Sequence, residues 1–203
     1  MKVAVVFYSH YGHMYKMAEA AAEGAKATGA EVKLLRIAET LPEAVLKQTG
    51  GFDAQKVFAQ IPLATPEDLV WADGLVFGVP TRYGNMSSQV ASFFDATGQV
   101  WAAGALVGKV ASLMSSSATQ HGGAVSTIHA VHHTLLAHGL LVSGLPYSKH
   151  PGLCDIEQVN GGSVFGATTI TGGQGQRMPS ETELAAARAQ GAWIAELAGR
   201  LAQ

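Results

Sequence analysis

Residues 1–29 read MKVAVVFYSHYGHMYKMAEAAAEGAKATG, and this stretch decides the fold class. Residues 3–8 form an uninterrupted apolar run of strand length, which is typical of a strand buried on both faces of a sheet. Apolar residues then recur at helical spacing from Met14 to Ala25, and Gly29 ends the pattern. The stretch therefore predicts a strand, a loop that carries hydroxyls and a glycine, and a helix.

The same alternation continues along the chain. Further strands are predicted at residues 31–37, 75–79, 109–114 and 140–142. The helices between and after them are marked by Pro42, the capping residue Thr65, the apolar face of Val90, Phe93 and Phe94, residues 124–138, and the capping box at Ser180. This pattern predicts an α/β fold, a doubly wound parallel sheet of five strands with helices on both faces. We expect a single domain over residues 1–203, with a loop-rich insertion at about residues 144–177.

Composition excludes several function classes. The 203 residues carry a formal net charge of −2, with 13 Lys and Arg against 15 Asp and Glu, so nucleic acid is not expected as a partner. No apolar run approaches the roughly 20 residues of a membrane helix, so no membrane partner is expected. The first apolar run ends at Tyr8 in polar sequence rather than at a cleavage site. The single cysteine, Cys154, cannot form an internal disulfide, so we expect a cytoplasmic location.

Three polar loops follow predicted strands, and they should meet at the carboxyl edge of the sheet, where ligands bind in such folds. They cover residues 9–14, 80–87 and 115–123. The first combines hydroxyls, a glycine and a helix start, which are the parts of a phosphate cradle, although a plain strand-to-helix turn would use the same residues. The second carries a proline corner, an aromatic ring and Arg82, which suit a planar ligand. The third has two adjacent glycines that could close over that ligand.

Other motifs do not fit. The dinucleotide pattern G-x-G-x-x-G is absent from the first loop, and residues 104–109 lack one spacer of a Walker loop and precede a strand. Ser163 lacks the closing glycine of a nucleophile elbow. His129, His132 and His133 share a helical face, but no acidic or thiolate partner is near them in sequence, so we expect no metal site.

Four stretches carry a resemblance to a known family: YSHYGH at residues 8–13, GVPTRYGNM at 78–86, WAAGAL at 101–106 and GATTI at 166–170. They resemble the WrbA-type NAD(P)H:quinone oxidoreductases of the flavodoxin-like fold, over essentially the whole chain. The resemblance implies the strand order 2-1-3-4-5, FMN as cofactor and NADH or NADPH as co-substrate. It also implies two-electron reduction of quinones to hydroquinones by hydride transfer through flavin N5, and a homotetramer that is a dimer of dimers.

The resemblance further assigns roles to the three loops. The phosphate would be held by Ser9, His10, Tyr11, Gly12, His13 and Met14. The flavin ring would be contacted by Pro80, Thr81, Arg82, Tyr83, Gly84 and Asn85, and the ribityl chain and flavin by Ser116, Ser117, Ala118, Thr119, Gln120 and His121. His138 matches a family position near the ring, Tyr11 one implicated in nicotinamide binding, and Trp101 an aromatic wall of the substrate space. Ala118 departs from the glycine that many members have.

Two other function classes stay open. A single-electron carrier would share the fold, but it usually has a strongly acidic docking face, which a net charge of −2 does not supply. A non-catalytic interaction or regulatory protein could also keep the fold, and Ala118 is the sequence feature that points in that direction. In the favoured hypothesis no catalytic side chain is expected, because the flavin carries the chemistry.

Overall fold

A parallel sheet forms the centre of the computed structural model, which describes residues 1–202. Its strands are β1 (Lys2–Phe7), β2 (Glu31–Arg36), β3 (Gly74–Pro80), β4 (Val110–Ser117), β5 (Leu141–Val142) and β6 (Thr168–Ile170). The strand order is β2-β1-β3-β4-β5, and every neighbouring pair is parallel. The predicted order 2-1-3-4-5 is therefore confirmed.

Two short strands share the fifth position of the sheet. β5 pairs with Val110 and Ala111 at the start of β4, whereas β6 pairs with residues 115–117 at its end. The sequence predicts five strands and leaves residues 168–170 inside the loop-rich insertion, so this additional strand is a correction. Three residues are too few to show a strand period, and their pairing with β4 is what makes them a strand.

The helices of the described residues are α1 (His13–Ala27), α2 (Glu43–Thr49), α3 (Gly51–Lys56), α4 (Pro66–Trp71), α5 (Ser88–Asp95), α6 (Gly98–Ala102), α7 (Ala124–Ala137) and α8 (Glu181–Leu201), with a 3₁₀ helix at Pro151–Cys154. The helix start predicted at Thr65 and the capping box predicted at Ser180 are confirmed, and Thr65 also forms a capping box. α3 is not predicted, because the two glycines at residues 50–51 indicate a loop. Within residues 1–202, none of the helices combines the length and the apolarity that crossing a bilayer requires.

Helices cover both faces of the sheet, since β1 sends alternate side chains to opposite sides. Val3 and Val5 belong to the core layer under α1 and α8, while Ala4 and Val6 belong to the layer that includes α4, α5 and α7. Because both sets are fully buried, β1 is an uninterrupted apolar run instead of an alternating one.

Small residues bring α1 and α8 into close contact. A Cβ on Gly24 would overlap the backbone carbonyl of Arg188, and a Cβ on Gly191 would overlap that of Ala21. The two helices therefore pack so closely here that the backbone of each helix contacts a glycine of the other.

The carboxyl ends of four strands meet at one edge of the sheet. Phe7 is in register with Gly78, Pro80 with Ser116, and Ser117 with Ile170. The loops after β1, β3, β4 and β6 consequently leave the sheet side by side, and this edge carries the candidate site.

Candidate functional site

A cleft of about 380 Å³ lies at the carboxyl edge of the sheet. Its lining comes from four loops and one helix end: Ser9, His10, Tyr11, His13, Met14, Thr49, Pro80, Thr81, Arg82, Ser116, Ser117, Ala118, Thr171, Gly172, Gly173, Gln174 and Gly175. The three loops that the sequence singled out do converge on one cleft.

The first loop presents backbone N–H groups to the cleft. Gly12 adopts φ 95°, a left-handed conformation that favours glycine, and it precedes the first residue of α1. Its own N–H donates to Ser9 Oγ at 3.0 Å. No side chain caps α1 and no acidic residue lies in its first turn, so the N–H groups of that turn and the helix dipole favour an anion here.

His13 joins this loop to the far wall of the cleft. Its Nε2 lies 3.0 Å from the carbonyl oxygen of Gly175, and because a carbonyl only accepts, Nε2 carries the proton. Burial lowers the pKa of His13, although the bond to Gly175 acts in the opposite direction. The ring is therefore a neutral donor at neutral pH.

His10 is buried between the first loop and α2. Its Nε2 lies 2.9 Å from Thr49 Oγ1, and its Nδ1 lies 3.4 Å from the hydroxyl of Tyr8. Burial and then the nearby Arg82 guanidinium lower the pKa of His10, against the opposing effect of Glu39.

The second loop is a tight turn over residues 82–85. Arg82 and Asn85 exchange backbone hydrogen bonds of 2.8 and 3.0 Å, and Tyr83 and Gly84 between them have positive φ values of 54° and 80°. The hydroxyl of Thr81 accepts from the N–H of Gly84 at 3.1 Å, which fixes the turn against the end of β3. Pro80, Thr81 and Arg82 line the cleft, while Tyr83 projects fully into solvent.

The third loop begins inside a strand. Ser116 and Ser117 are the last residues of β4, and the sequence places them in a loop, so the strand is longer than predicted. Ser117 Oγ donates to the carbonyl of Thr119 at 2.8 Å and turns the chain away from the sheet. Ala118 lines the cleft, whereas Gln120 and His121 line a separate cavity of about 270 Å³ at the start of α7.

His138 and Trp101 lie away from the cleft within one chain. His138 follows the last residue of α7, a 14-residue helix, so it stands about 20 Å along the helix axis from Gly123 at the other end. Its Nε2 lies 2.8 Å from Thr97 Oγ1. The indole Nε1 of Trp101 donates to the carbonyl of Ala137 at 2.9 Å, which places it at the same end of the sheet.

Several lining residues are missed by the sequence. Residues 171–175 form the wall opposite the first loop, with left-handed φ values of 77° at Gly172 and 67° at Gly175. Their glycine density is the signal that could have identified them. Thr49 closes the cleft beside His10, and nothing in its sequence context marks it.

The electrostatics of the cleft favour an anionic ligand. Among the described residues that line it, Arg82 carries the one full charge and no carboxylate is present. Serine and threonine hydroxyls, backbone N–H groups and neutral histidines supply the remaining polarity. This arrangement can hold a phosphate at its α1 end and a planar polar group between Thr81 and Ala118.

Comparisons with known proteins agree with this geometry. A family profile described as NADPH-dependent FMN reductase matches residues 1–149. Two relatives named NAD(P)H dehydrogenase (quinone), from Geobacter metallireducens and Geobacter sulfurreducens, are 53% and 51% identical over 202 residues, covering 99% of this chain and 99% of each relative. The chain is similar in structure to a WrbA-like flavodoxin from Agrobacterium tumefaciens, with a TM-score of 0.67, 25% identity and 98% coverage of both chains.

Proposed function

Since the chain belongs to the NADPH-dependent FMN reductase family, we propose that it is an FMN-dependent NAD(P)H:quinone oxidoreductase. The observation that carries this function is the uncapped start of α1, which opens into a cleft free of carboxylates at the carboxyl edge of the sheet. The relatives that are about half identical over the full length are named for the same activity.

The residues of the cleft fit FMN. The N–H groups of the first turn of α1 and the hydroxyl of Ser9 suit a phosphate dianion without any lysine. The cleft volume of about 380 Å³ is within the range of small-molecule and cofactor sites. Thr81, Arg82 and the end of β4 offer donors to the polar edge of a planar ring.

In this proposal residues 9–14 hold the phosphate, Pro80, Thr81 and Arg82 contact the ring, and Ser116 to Ala118 contact the ribityl chain and flavin. The wall at residues 171–175, which the sequence did not single out, closes the cleft opposite the first loop. Tyr83, Gly84 and Asn85 support the ring through the turn they form, and Thr119 supports the third loop through its carbonyl.

Bound FMN would supply the redox chemistry, accepting a hydride from NADH or NADPH and passing two electrons to a quinone. The protein's part is to bind, orient and place charge. Arg82 holds a positive charge at the cleft, where it stabilises negative charge on a bound ligand. Tyr11 is about half exposed at the mouth of the cleft and offers a flat apolar surface for a nicotinamide or quinone ring.

We also propose the homotetramer, because it reconciles Trp101 and His138 with the roles that the resemblance gives them. Both lie away from their own chain's cleft, so they would reach a flavin only across a subunit contact. Trp101, Leu136 and Leu141 are 58%, 58% and 48% exposed, and a subunit contact at that end of the molecule would bury them. Sedimentation of a monomer at micromolar concentration would rule this assembly out.

The test of function is anaerobic addition of NADH, and separately NADPH, to FMN-loaded protein while the visible absorption of the flavin is followed. Complete bleaching without a one-electron phase supports the oxidoreductase, and oxidation by a quinone then completes the cycle. Flavin that binds but stays oxidised with both nucleotides would favour the single-electron carrier. Failure to bind FMN would favour the interaction or regulatory protein.

We also propose a cytoplasmic location, which the exposed thiol of Cys154 supports.

A further inference from the structure

A carboxylate lies beneath the first loop, and the proposed chemistry does not use it. Glu39 Oε2 accepts from the hydroxyl of Tyr8 at 2.8 Å and from Gln55 Nε2 at 2.7 Å. Its Oε1 accepts from Gln89 Nε2 at 2.7 Å and from the backbone N–H groups of Thr40 and Leu41 at 2.8 and 2.9 Å. Burial acts to raise the pKa of Glu39, but these hydrogen bonds outweigh it and lower the pKa, so the group is ionised at neutral pH.

Tyr8 connects this carboxylate to His10. Burial, and then its bond to Glu39, raise the pKa of Tyr8, so the phenol stays protonated. The hydroxyl of Tyr8 donates its proton to Glu39. Toward His10 Nδ1, 3.4 Å away, the same hydroxyl oxygen can therefore only accept a hydrogen bond.

The other ring nitrogen of His10, Nε2, also faces a hydroxyl oxygen whose proton is donated elsewhere. Thr49 donates its hydroxyl proton to the carbonyl oxygens of Val45 or Leu46, at 3.0 and 3.2 Å, so Thr49 Oγ1 accepts from His10 Nε2. Both nitrogens of His10 therefore face oxygens whose protons are already used. A neutral ring can satisfy one of them, whereas an imidazolium would satisfy both.

The charges around His10 are nearly balanced. Tyr8 faces it from the residue after β1, and Glu39 from the loop after β2. Tyr11 packs edge-on with ring centroids 4.3 Å apart, and Arg82 faces it from the second loop. Gly51 of α3 lies against the ring and adds no charge. Burial and Arg82 oppose a second proton, Glu39 favours it, and a dianion bound in the first loop would add a second favourable charge.

We propose that Glu39, acting through Tyr8, is a positioning residue that prepares His10 to take up one proton from solvent when the phosphate of FMN binds in the first loop. The proton goes to Nδ1 and is shared with the hydroxyl of Tyr8. This inference rests on the proposed function, because it needs a phosphate dianion at residues 9–14.

The experiment is ¹⁵N NMR of the histidine rings in full-length protein, with and without FMN, together with calorimetry of FMN binding in two buffers of different ionisation enthalpy. Measurements at about pH 7.5 keep the FMN phosphate mostly dianionic, since its second pKa is about 6. The resonances of His10 are assigned by their loss in His10→Gln. We expect Nδ1 of His10 to become protonated in the complex, with uptake of up to about one proton per FMN because an adjacent opposite charge raises a pKa by about 1–3 units.

Variants separate positioning from a general loss of structure. In Glu39→Gln and in Tyr8→Phe, the midpoint for protonating Nδ1 in the complex should fall by about one unit or more, since one favourable charge or the accepting oxygen is gone. Tyr15 and Glu19 form a matched pair on α1, joined by a 2.7 Å bond outside the cleft, so Glu19→Gln should leave this midpoint unchanged. Tyr8→Phe keeps the buried ring and provides the test if Glu39→Gln fails to fold.

The outcomes of this test and of the function test are distinct. If wild-type protein binds FMN and Nδ1 stays unprotonated, the inference is wrong and the proposed function stands. If Nδ1 becomes protonated equally in Glu39→Gln and Tyr8→Phe, His10 titrates without them and the positioning role is overturned. If FMN does not bind at all, both proposals fail.

Discussion

The first loop and the wall at residues 171–175 line opposite sides of one cleft, yet they are held in different ways. The first loop is maintained by its own neighbours, since Gly12 donates to Ser9 and its carbonyl accepts from the N–H of Lys16 at 3.0 Å. The wall follows a strand of three residues and depends on a carboxylate at the start of the next helix. Hydroxyls and a glycine after an apolar strand mark the first loop in the sequence, whereas glycine density is the signal that residues 171–175 carry.

That carboxylate is Glu183 at the start of α8, which is fully buried. It accepts from Arg177 Nη1 at 2.9 Å, from Thr169 Oγ1 at 2.9 Å, and from the N–H groups of Gly161 and Ser180 at 2.7 and 2.8 Å. Burial acts to raise the pKa of Glu183, but Arg177 and these donors outweigh it and lower the pKa. Arg177 in turn donates its backbone N–H to the carbonyl of Thr171 at 2.9 Å, which closes the wall.

Removing the carboxylate of Glu183, which holds the wall, should have the largest effect on stability. Glu183→Ala should lower the free energy of unfolding by about 3–5 kcal/mol, because one partner of a buried ion pair is lost. Urea unfolding of the flavin-free protein measures this. Glu181→Ala is the matched control two residues earlier, where the pair with Arg188 is exposed and is expected to contribute less than about 1 kcal/mol. Equal losses in the two variants would mean that Glu183 does not hold the wall.

A negative charge in the first loop should affect binding and leave the wall intact. Ser9→Glu should weaken FMN binding by about 100-fold, about 2.7 kcal/mol, since it removes the hydroxyl and repels the phosphate. Fluorescence titration with FMN measures the change, and Ser9→Ala, which removes only the hydroxyl, should lose less than about tenfold. An unchanged affinity in Ser9→Glu would show that the phosphate lies elsewhere.

The contact between α1 and α8 links the two regions, because α1 begins at the first loop and α8 begins beside Glu183. Gly191→Ala should destabilise the fold by about 1–3 kcal/mol, since its new methyl group would overlap the carbonyl of Ala21. Gly199→Ala on the same helix meets only the flexible side chain of Met1 and should be neutral or stabilising. Thermal unfolding of both variants provides the comparison, and similar melting temperatures would contradict the close approach.

The smallest predicted effect is a change of stability with pH, which comes from the hydrogen bond between His13 and the carbonyl of Gly175. Burial holds the pKa of His13 below its ordinary value of 6.5, so the unfolded chain takes up the proton first as the pH falls. The stability that His13 contributes is therefore complete above pH 6.5 and declines as the pH falls below it. His13→Gln should show a shallower loss of stability over that window in urea unfolding at several pH values, and an equal slope in both proteins would contradict this account.

Most of the fold could be predicted from the sequence, because buried parallel strands are apolar runs and helices have periodic faces. The apolar run in β1, the helix start at Thr65 and the capping box at Ser180 are signals of this kind, and the structure confirms them. β6 could not be predicted, since it becomes a strand only by pairing with the end of β4. In the site, the loops after β1, β3 and β4 were predictable because polar residues follow apolar strands, whereas Thr49 faces the cleft only through the way α2 packs against His10.

The division of the fifth sheet position between β5 and β6 also matters for protein engineering. β5 ends its pairing with β4 at Val142, and the chain pairs with β4 again at Thr168, so both ends of the intervening segment are anchored on the same strand. Residues 154–159 within it are exposed. The entropy cost of closing a loop rises by only about 0.6 kcal/mol for each doubling of its length, so a reporter peptide or a small guest protein inserted between Ile156 and Glu157 should be accepted without disturbing the cleft.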